Sequence, residues 1–383
     1  MSRSLVICLD GTSNQFGWCI SNIVRVAQVA GSVEDRLVYY HPGVGTMPEP
    51  SAFSRMEQAV SVGLGLAFGR GLQANIIAAY RFLMRHHEPG DSVYIFGFSR
   101  GAYTARVLAA VLHQVGLLRP ELDDLVPYAV QLTAEIDDLK GVELKRRWGT
   151  CDDFRASFAR PGLEPGRRFS VHFLGLFDTV SSVGWVWEPS AHPYTARNPS
   201  VRHVRHAISL DERRSFFRQN RWSSRPGPTD VSEVWFPGVH SDIGGGYPPD
   251  GADLWRISLD WMLAEAASCG LEVEPEVREA VVGSADCVRS AWEAERHESL
   301  AGWMWKLAEY FPKQRYDFAR DSRSWVVGQG RPRVLRPTDI IHGSVLHRVR
   351  EGIAKHPSLP DDFAERLAGA SELPSLIELG LRG

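Results

Sequence analysis

The run Asp91-Ser-Val-Tyr-Ile-Phe-Gly-Phe-Ser-Arg-Gly-Ala-Tyr-Thr-Ala-Arg106 constrains this chain more than any other stretch of it. Val93 to Phe96 are β-formers, and the alanine- and leucine-rich segment Ala102 to Val115 favours helix. Only Gly97-Phe98-Ser99-Arg100-Gly101 separates them, so the backbone must turn sharply from strand into helix. Glycines flanking such a turn let strand and helix pass where a Cβ would clash. Strand followed at once by helix is the repeating unit of a parallel sheet covered on both faces.

The same pattern sets a serine at a helix N-terminus, its hydroxyl raised above the sheet. The positive end of the helix dipole lies beside it, and the amide of Arg100 can donate to an oxyanion forming on an acyl substrate. Serine is a weak nucleophile until a histidine takes its proton and a carboxylate holds that histidine's tautomer. Gly-x-Ser-x-Gly by itself describes an ordinary tight turn equally well. The apolar strand before it and the helix after it favour the nucleophile.

At 383 residues, 44% of them hydrophobic, the chain can bury a sizeable core as one large α/β domain or two smaller ones. Its formal charge of -3, from 43 basic and 46 acidic residues, gives no electrostatic case for nucleic acid or a strongly anionic surface. Five scattered cysteines without a Cys-x-x-Cys pair fit a reduced compartment. Leu5 to Leu9 is too short for a secretory or membrane segment, so we expect synthesis in the cytoplasm, with export open only to a system that reads no signal peptide.

Ser4 to Leu9, Arg36 to His41, Val93 to Phe96, Arg168 to Phe177 and Ser232 to Phe236 read as strands. Ser21 to Ala30, Leu72 to His87, Ala102 to Val115 and Leu254 to Ala267 read as helices, the first capped by Ser21 or Asn22. Val201 to Leu210 is strand or helix on pattern alone. Residues 1–270 are expected to form the catalytic domain, with insertions near 120–165 and 185–230. The first insertion is expected over the active face, and Trp185, Trp187, Phe216, Phe217 and Trp222 of the second either form a lid or pack inward. Residues 271–383 read as a helical or irregular extension packed on that domain.

Ligands gather beyond the carboxyl ends of parallel strands. Four loops lie there: Asp10 to Asn14, Ser99, Asp178 and His240. Serine, then aspartate, then histidine is the chain order of an α/β-hydrolase triad, whose second oxyanion amide would come from Gly11 or Thr12. Ser99 is thus the expected nucleophile, His240 the base and Asp178 its orienter. Asp10 and Asn14 are expected to brace the oxyanion loop. Asp178 could instead cap a helix, and His240 could be a turn histidine bonded to Asp242. His342 and His206 are rival bases; Asp211 and Asp242 are rival acids. Asp10, Asp178, His240 and Asp242 could also act as hard metal ligands. Asp10-Gly-Thr is like the signature of aspartate-nucleophile phosphohydrolases, but Cys8 occupies the place of the attacking aspartate.

Asp10-Gly-Thr-x-Asn14, Gly97-Phe-Ser-Arg-Gly-Ala102, Phe177-Asp-Thr-Val180, Pro237-Gly-Val-His-Ser-Asp-Ile-Gly-Gly-Gly-Tyr247 and His342-x-Ser-Val345 together resemble the catalytic domain of type VI secretion phospholipase effectors of the first lipase-effector family. The resemblance runs from about Ser4 to Leu263. It implies an α/β-hydrolase-like fold, cleavage of glycerophospholipid acyl esters without metal or other cofactor, and the triad Ser99, Asp178 and His240. It also implies a phospholipid substrate, contact with a membrane surface, and dealings with secretion machinery or an immunity protein. A non-lipid carboxylesterase and a non-catalytic interaction module of a secretion or defence system stand as alternatives.

Overall fold

The computed structural model describes residues 3–11, 14, 17–34, 36–43, 66–134, 141–160, 168–180, 184–185, 188–189, 192–217, 219–223, 225–248, 253–300, 306, 309–310, 313–317, 322–359, 363 and 375–378, with backbone alone at a few of them. In chain order the elements that place the site are β1 (Ser4–Leu9), α1 (Asn22–Ala30), β2 (Leu37–His41), α2 (Leu66–His86), β3 (Ser92–Phe98) and α3 (Arg100–Val115). Then come α4 (Val126–Ala134), α5 (Gly141–Phe158), β4 (Val171–Phe177), the two-residue strands β5 (Gly184–Trp185) and β6 (Glu188–Pro189), β7 (Val201–Ser209) and β8 (Asp230–Phe236). The short helix α6 (His240–Gly244) and α7 (Trp255–Ser268) follow, then α8 (Pro275–Val282), α9 (Ala285–Ser290), the hairpin β9 (Lys313–Asp317) and β10 (Ser322–Val326), β11 (Ile340–His342), α10 (Gly343–Arg350) and β12 (Leu376–Glu378).

The main sheet has eight strands in the order β12-β11-β8-β7-β4-β3-β1-β2. Its strands pair in parallel except β12, which runs antiparallel to β11. Alternate residues of β1 enter opposite layers, as the pleat requires. Leu5, Ile7 and Leu9 pack with α2 and α3, and Val6 and Cys8 pack with α1 and α7. Burial on both faces explains why the central strands read as unbroken apolar runs. This is the α/β, mostly parallel architecture that the sequence implies.

Four differences from the sequence reading have physical causes. Helix α2 begins at Leu66, running through Gly69 and Gly71. Once nucleated, a helix whose Ile76, Ala79, Tyr80 and Leu83 are fully buried can carry glycines at about 1 kcal/mol each. Val201 to Ser209 is a strand, because β4 and β8 flank it on both sides. The described part of 120–160 does not cover the strand C-termini. Helices α4 and α5 pack against α3, and Arg160 donates to the carbonyls of Met84, His87 and Leu118, at the far end of α3 from Ser99. Its apolar residues, among them Val126, Ala129 and Phe154, join the core on that flank. Finally, β11 and β12 extend the sheet beyond β8, so the stretch after residue 270 is continuous with it. Strands three residues long carry too little pattern to be read from sequence.

Candidate active site

Ser99 sits between β3 and α3 with φ 57° and ψ -122°, a conformation that L-residues rarely adopt. Its backbone is held from three sides. The amide donates to Phe177 O at 3.0 Å, and the carbonyl accepts from Tyr103 N at 3.3 Å and Val180 N at 3.2 Å. The flanking glycines are obligatory. A Cβ on Gly97 would stand 2.6 Å from Ala102 Cα, and one on Gly101 would stand 2.2 Å from Leu9 O. Strand β1 therefore runs against the start of α3, bringing the loop after β1 beside the serine. A Cβ on Gly11 would lie 3.3 Å from Ser99 Cβ.

Asp178 follows β4, the neighbour of β3, and also has positive φ, 36°. Its carboxylate is 1% exposed yet fully engaged. Oδ2 lies 2.6 Å from His240 Nδ1 and accepts from Ser209 Oγ at 3.1 Å, and Oδ1 accepts from Ser209 N at 3.0 Å. Arg333 grips both oxygens, Nη1 to Oδ1 at 2.5 Å and Nη2 to Oδ2 at 3.1 Å. Burial by itself raises the carboxyl, but the Arg333 charge and the His240 hydrogen bond outweigh it and hold Asp178 well below the usual carboxylate range.

His240 opens α6 directly after β8. With Nδ1 donating to Asp178, the other ring nitrogen carries the lone pair. The ring lies between Phe98 and Phe217, with centroids 4.7 Å away in each case, so the residue before the nucleophile touches the imidazole. A Cβ on Gly244 would fall 2.0 Å from the Phe98 ring, which lets α6 pack this closely. The His240 amide donates to Glu212 Oε2 at 3.3 Å, and Arg214 clasps Glu212 through both carboxylate oxygens. A buried carboxylate on Nδ1 can hold an imidazole in one tautomer and stabilise its cation.

Arg100 provides the first amide of α3, where helical N–H groups have no intrahelical acceptor. The Gly11 amide is turned to Asp10, donating to Oδ1 at 2.7 Å. Thr12 lies outside the described residues. Asp10 also accepts from Ser21 Oγ, Tyr40 Oη and Asn14 Nδ2, and so ties the loop after β1 to α1 and β2. Burial raises the Asp10 carboxyl despite these four hydrogen bonds.

The rival groups lie in other networks. His342 stacks on Phe236 at 4.8 Å and caps α10 through Ser344 N, and burial lowers it to about 4. His206 is buried between Glu233 Oε1, 2.9 Å from its Nδ1, and Thr179 N, which donates to its Nε2 at 3.2 Å. Asp211 accepts from Gly238 N, Arg296 and His356. Asp242 accepts from Val239 N, capping α6, and lies 2.7 Å from His297 Nδ1. Asp10, Asp178, His240 and Asp242 do not converge on a shared centre, and among the described residues no group of three or more His, Cys, Asp or Glu is placed to hold a metal. Trp222 and Phe217 pack inward, Trp222 into the core and Phe217 onto His240. The side chains of Trp185 and Trp187 lie outside the described residues.

Sequence reasoning missed Arg333, Ser209 and Glu212, and singled out Phe217 only as an aromatic of the second insertion. None stands in a motif, and Arg333 is 155 positions from Asp178 along the chain. A groove of about 490 Å³ lined by Tyr39, Ile77, Phe82 and other α2 residues holds none of the residues above, so chemistry and not volume locates the site.

A mostly parallel sheet, with a strained serine between β3 and α3 and a buried aspartate–histidine pair beyond the ends of β4 and β8, defines an α/β fold. The family described as "T6SS, Phospholipase effector Tle1-like, catalytic domain" matches residues 3–265, and this chain belongs to it. A curated relative, the uncharacterized protein YEL023C of Saccharomyces cerevisiae, is 35% identical over 233 residues, 58% of this chain and 33% of the yeast protein. Two solved structures are similar. One is an uncharacterized protein from Pseudomonas aeruginosa, at 20% identity and a TM-score of 0.45, covering 76% of this chain and 50% of that one. The other is a Tle1 effector bound to the VgrG spike of the type VI secretion system, at 21% identity and 0.36, covering 66% and 53%. The chain thus spans about a third of the yeast relative and about half of each solved chain.

Proposed function

We propose that the chain is a serine ester hydrolase of phospholipase A type, in which Ser99 attacks the acyl carbonyl, His240 takes its proton and returns it to the leaving alcohol, and Asp178 orients the imidazole. The observation that carries this reading is the 2.6 Å contact of His240 Nδ1 with a buried, ionised Asp178, on a ring packed against the residue preceding a strained serine. Among the described residues the Ser99 hydroxyl has no hydrogen bond to the imidazole, a separation common before substrate binds. The amide of Arg100 at the start of α3 is the proposed donor to the tetrahedral oxyanion, since Gly11 gives its own to Asp10. The family's description supports a phospholipid substrate and export by a type VI secretion system, and contact with a membrane surface and with the secretion machinery is part of the same proposal. Among the described residues no helix is long and apolar enough to cross a membrane.

The test is labelling with a fluorophosphonate, which captures activated serines, followed by fatty-acid release from mixed phospholipid vesicles. Ser99→Ala should abolish labelling and lower turnover by about 10⁴-fold or more with the fold intact. Labelling with no release from vesicles would leave a carboxylesterase acting on other esters. An unlabelled wild-type protein would sink the serine reading altogether.

A further inference from the structure

The carboxylate assigned to orient His240 is itself held by a side chain from beyond the family match, which ends at residue 265. Besides gripping both oxygens of Asp178, Arg333 Nη1 donates to Ser209 O at 3.0 Å and Ser209 Oγ at 2.8 Å, and Nη2 donates to Phe217 O at 2.8 Å. Ser209 bonds the same carboxylate, and Phe217 covers the His240 ring. One guanidinium thus joins the carboxylate that meets the imidazole, the serine that shares that carboxylate and the residue whose ring covers the imidazole. Arg333 is 9% exposed.

We propose that Arg333 is a positioning residue of the catalytic site, its guanidinium fixing the Asp178 carboxylate and the Phe217 backbone about His240, so that the segment after residue 270 completes a site whose reacting groups all precede it. The inference rests on the serine-hydrolase reading above. A carboxylate this deeply buried favours its neutral form unless a cation or hydrogen bonds oppose burial, and a protonated Asp178 could no longer accept from His240 and hold the reactive tautomer. The planar fork of arginine suits two carboxylate oxygens at once, which lysine cannot match. The other charged groups nearby are few. Glu212, clasped by Arg214, faces the His240 amide, and His206 with Glu233 lies behind Thr179. None of these contacts the Asp178 carboxylate in place of Arg333.

Loss of the Arg333 charge acts in one direction. If Asp178 gains a proton more easily, activity falls at a higher pH. If Asp178 stays ionised, its charge is no longer shared with a second cation, and activity again falls at a higher pH. The rate of fluorophosphonate labelling of Ser99 across pH reads this limb directly. In Arg333→Gln the acid limb should move up by about one pH unit or more, while Arg333→Lys should keep the limb near the wild-type position with a plateau several-fold lower. A slower Arg333→Gln protein whose limb does not move would overturn the proposal and leave Arg333 a packing residue. Should Arg333→Gln fail to fold by circular dichroism, Arg333→Lys decides: a plateau equal to wild type overturns the two-pronged role, and a lowered plateau on an unmoved limb supports it. Absence of any Ser99-dependent labelling in the wild-type chain refutes the serine reading, and this role falls with it.

Discussion

At the scale of single residues, two side chains that looked interchangeable on paper are separated by their surroundings. His240 follows β8 and His342 ends β11, and each stands at the start of a helix. His240 meets a buried carboxylate, whereas His342 meets an aromatic ring and a serine, and burial keeps it neutral. His240→Ala should therefore cost about 10³-fold or more in turnover. His342→Ala should leave turnover near wild type and cost about 1 kcal/mol through the lost helix cap, read from denaturant midpoints. The elbow glycines make a second prediction. A methyl on Gly101 has the backbone of Leu9 and Asp10 within 2.4 Å, and neither strand nor helix can give way cheaply. Gly101→Ala should lower stability by about 3 kcal/mol or more, at the upper end of overpacking, and abolish labelling together with it. A variant of wild-type stability would mean that α3 does not start against β1 as described. The two glycines were legible from sequence because the backbone crossing demands them. Arg333 was not, because an arginine in an irregular stretch has no pattern to betray its partner.

At the scale of elements, β7 fits strand or helix on pattern alone whereas β8 reads plainly as a strand, and both are essential. Polar residues interrupt both, yet these are partnered below the site. Glu233 Oε1 accepts from Trp222 N at 2.8 Å and faces His206, and Oε2 accepts from Arg221, which also pairs with Asp339. His206 in turn accepts the Thr179 amide, supporting the loop that carries Asp178. Burial raises the Glu233 carboxyl, but His206 and Arg221 outweigh it and bring it down to about 2. A carboxyl lowered in the folded state adds stability that is complete above its unfolded value near 4.5 and is lost as pH falls towards about 2. Glu233→Gln should thus cost about 1–3 kcal/mol at neutral pH, since it leaves Arg221 with Asp339 alone and His206 without a charged acceptor. The difference from wild type should shrink between about pH 4.5 and 2 in acid-unfolding curves. A gap that stays constant over that window would place the energy elsewhere than in the charge.

At the scale of the whole molecule, the stretch after residue 270 is bound to the site's loops by charge as well as by the sheet. Arg296 and His356 take Asp211, His297 takes Asp242, Glu309 takes the Ser215 amide and hydroxyl, and Arg333 takes Asp178. Three buried aspartates on the active edge thus depend on partners from one later segment. A chain ending at residue 270 should consequently show neither cooperative thermal unfolding nor Ser99-dependent labelling. Full labelling of that fragment would show that residues 3–265 carry the site by themselves. From sequence this segment read as a weakly patterned extension, because the strands it adds to the main sheet are three residues long and its contribution lies in individual ion pairs.

The sequence by itself determined the central strands, the elbow with its glycines, and the order of serine, aspartate and histidine. Those are properties of contiguous residues, set by apolar runs, by backbone clearance and by side-chain type at a strand end. Only the tertiary structure decided which histidine meets which carboxylate, that the Gly11 amide turns to Asp10, and where the described part of residues 120–160 lies. It alone revealed that Asp178 is held by Arg333. Those outcomes depend on distances between residues far apart in the chain, and no local preference encodes them until the sheet has brought its strand ends to one edge.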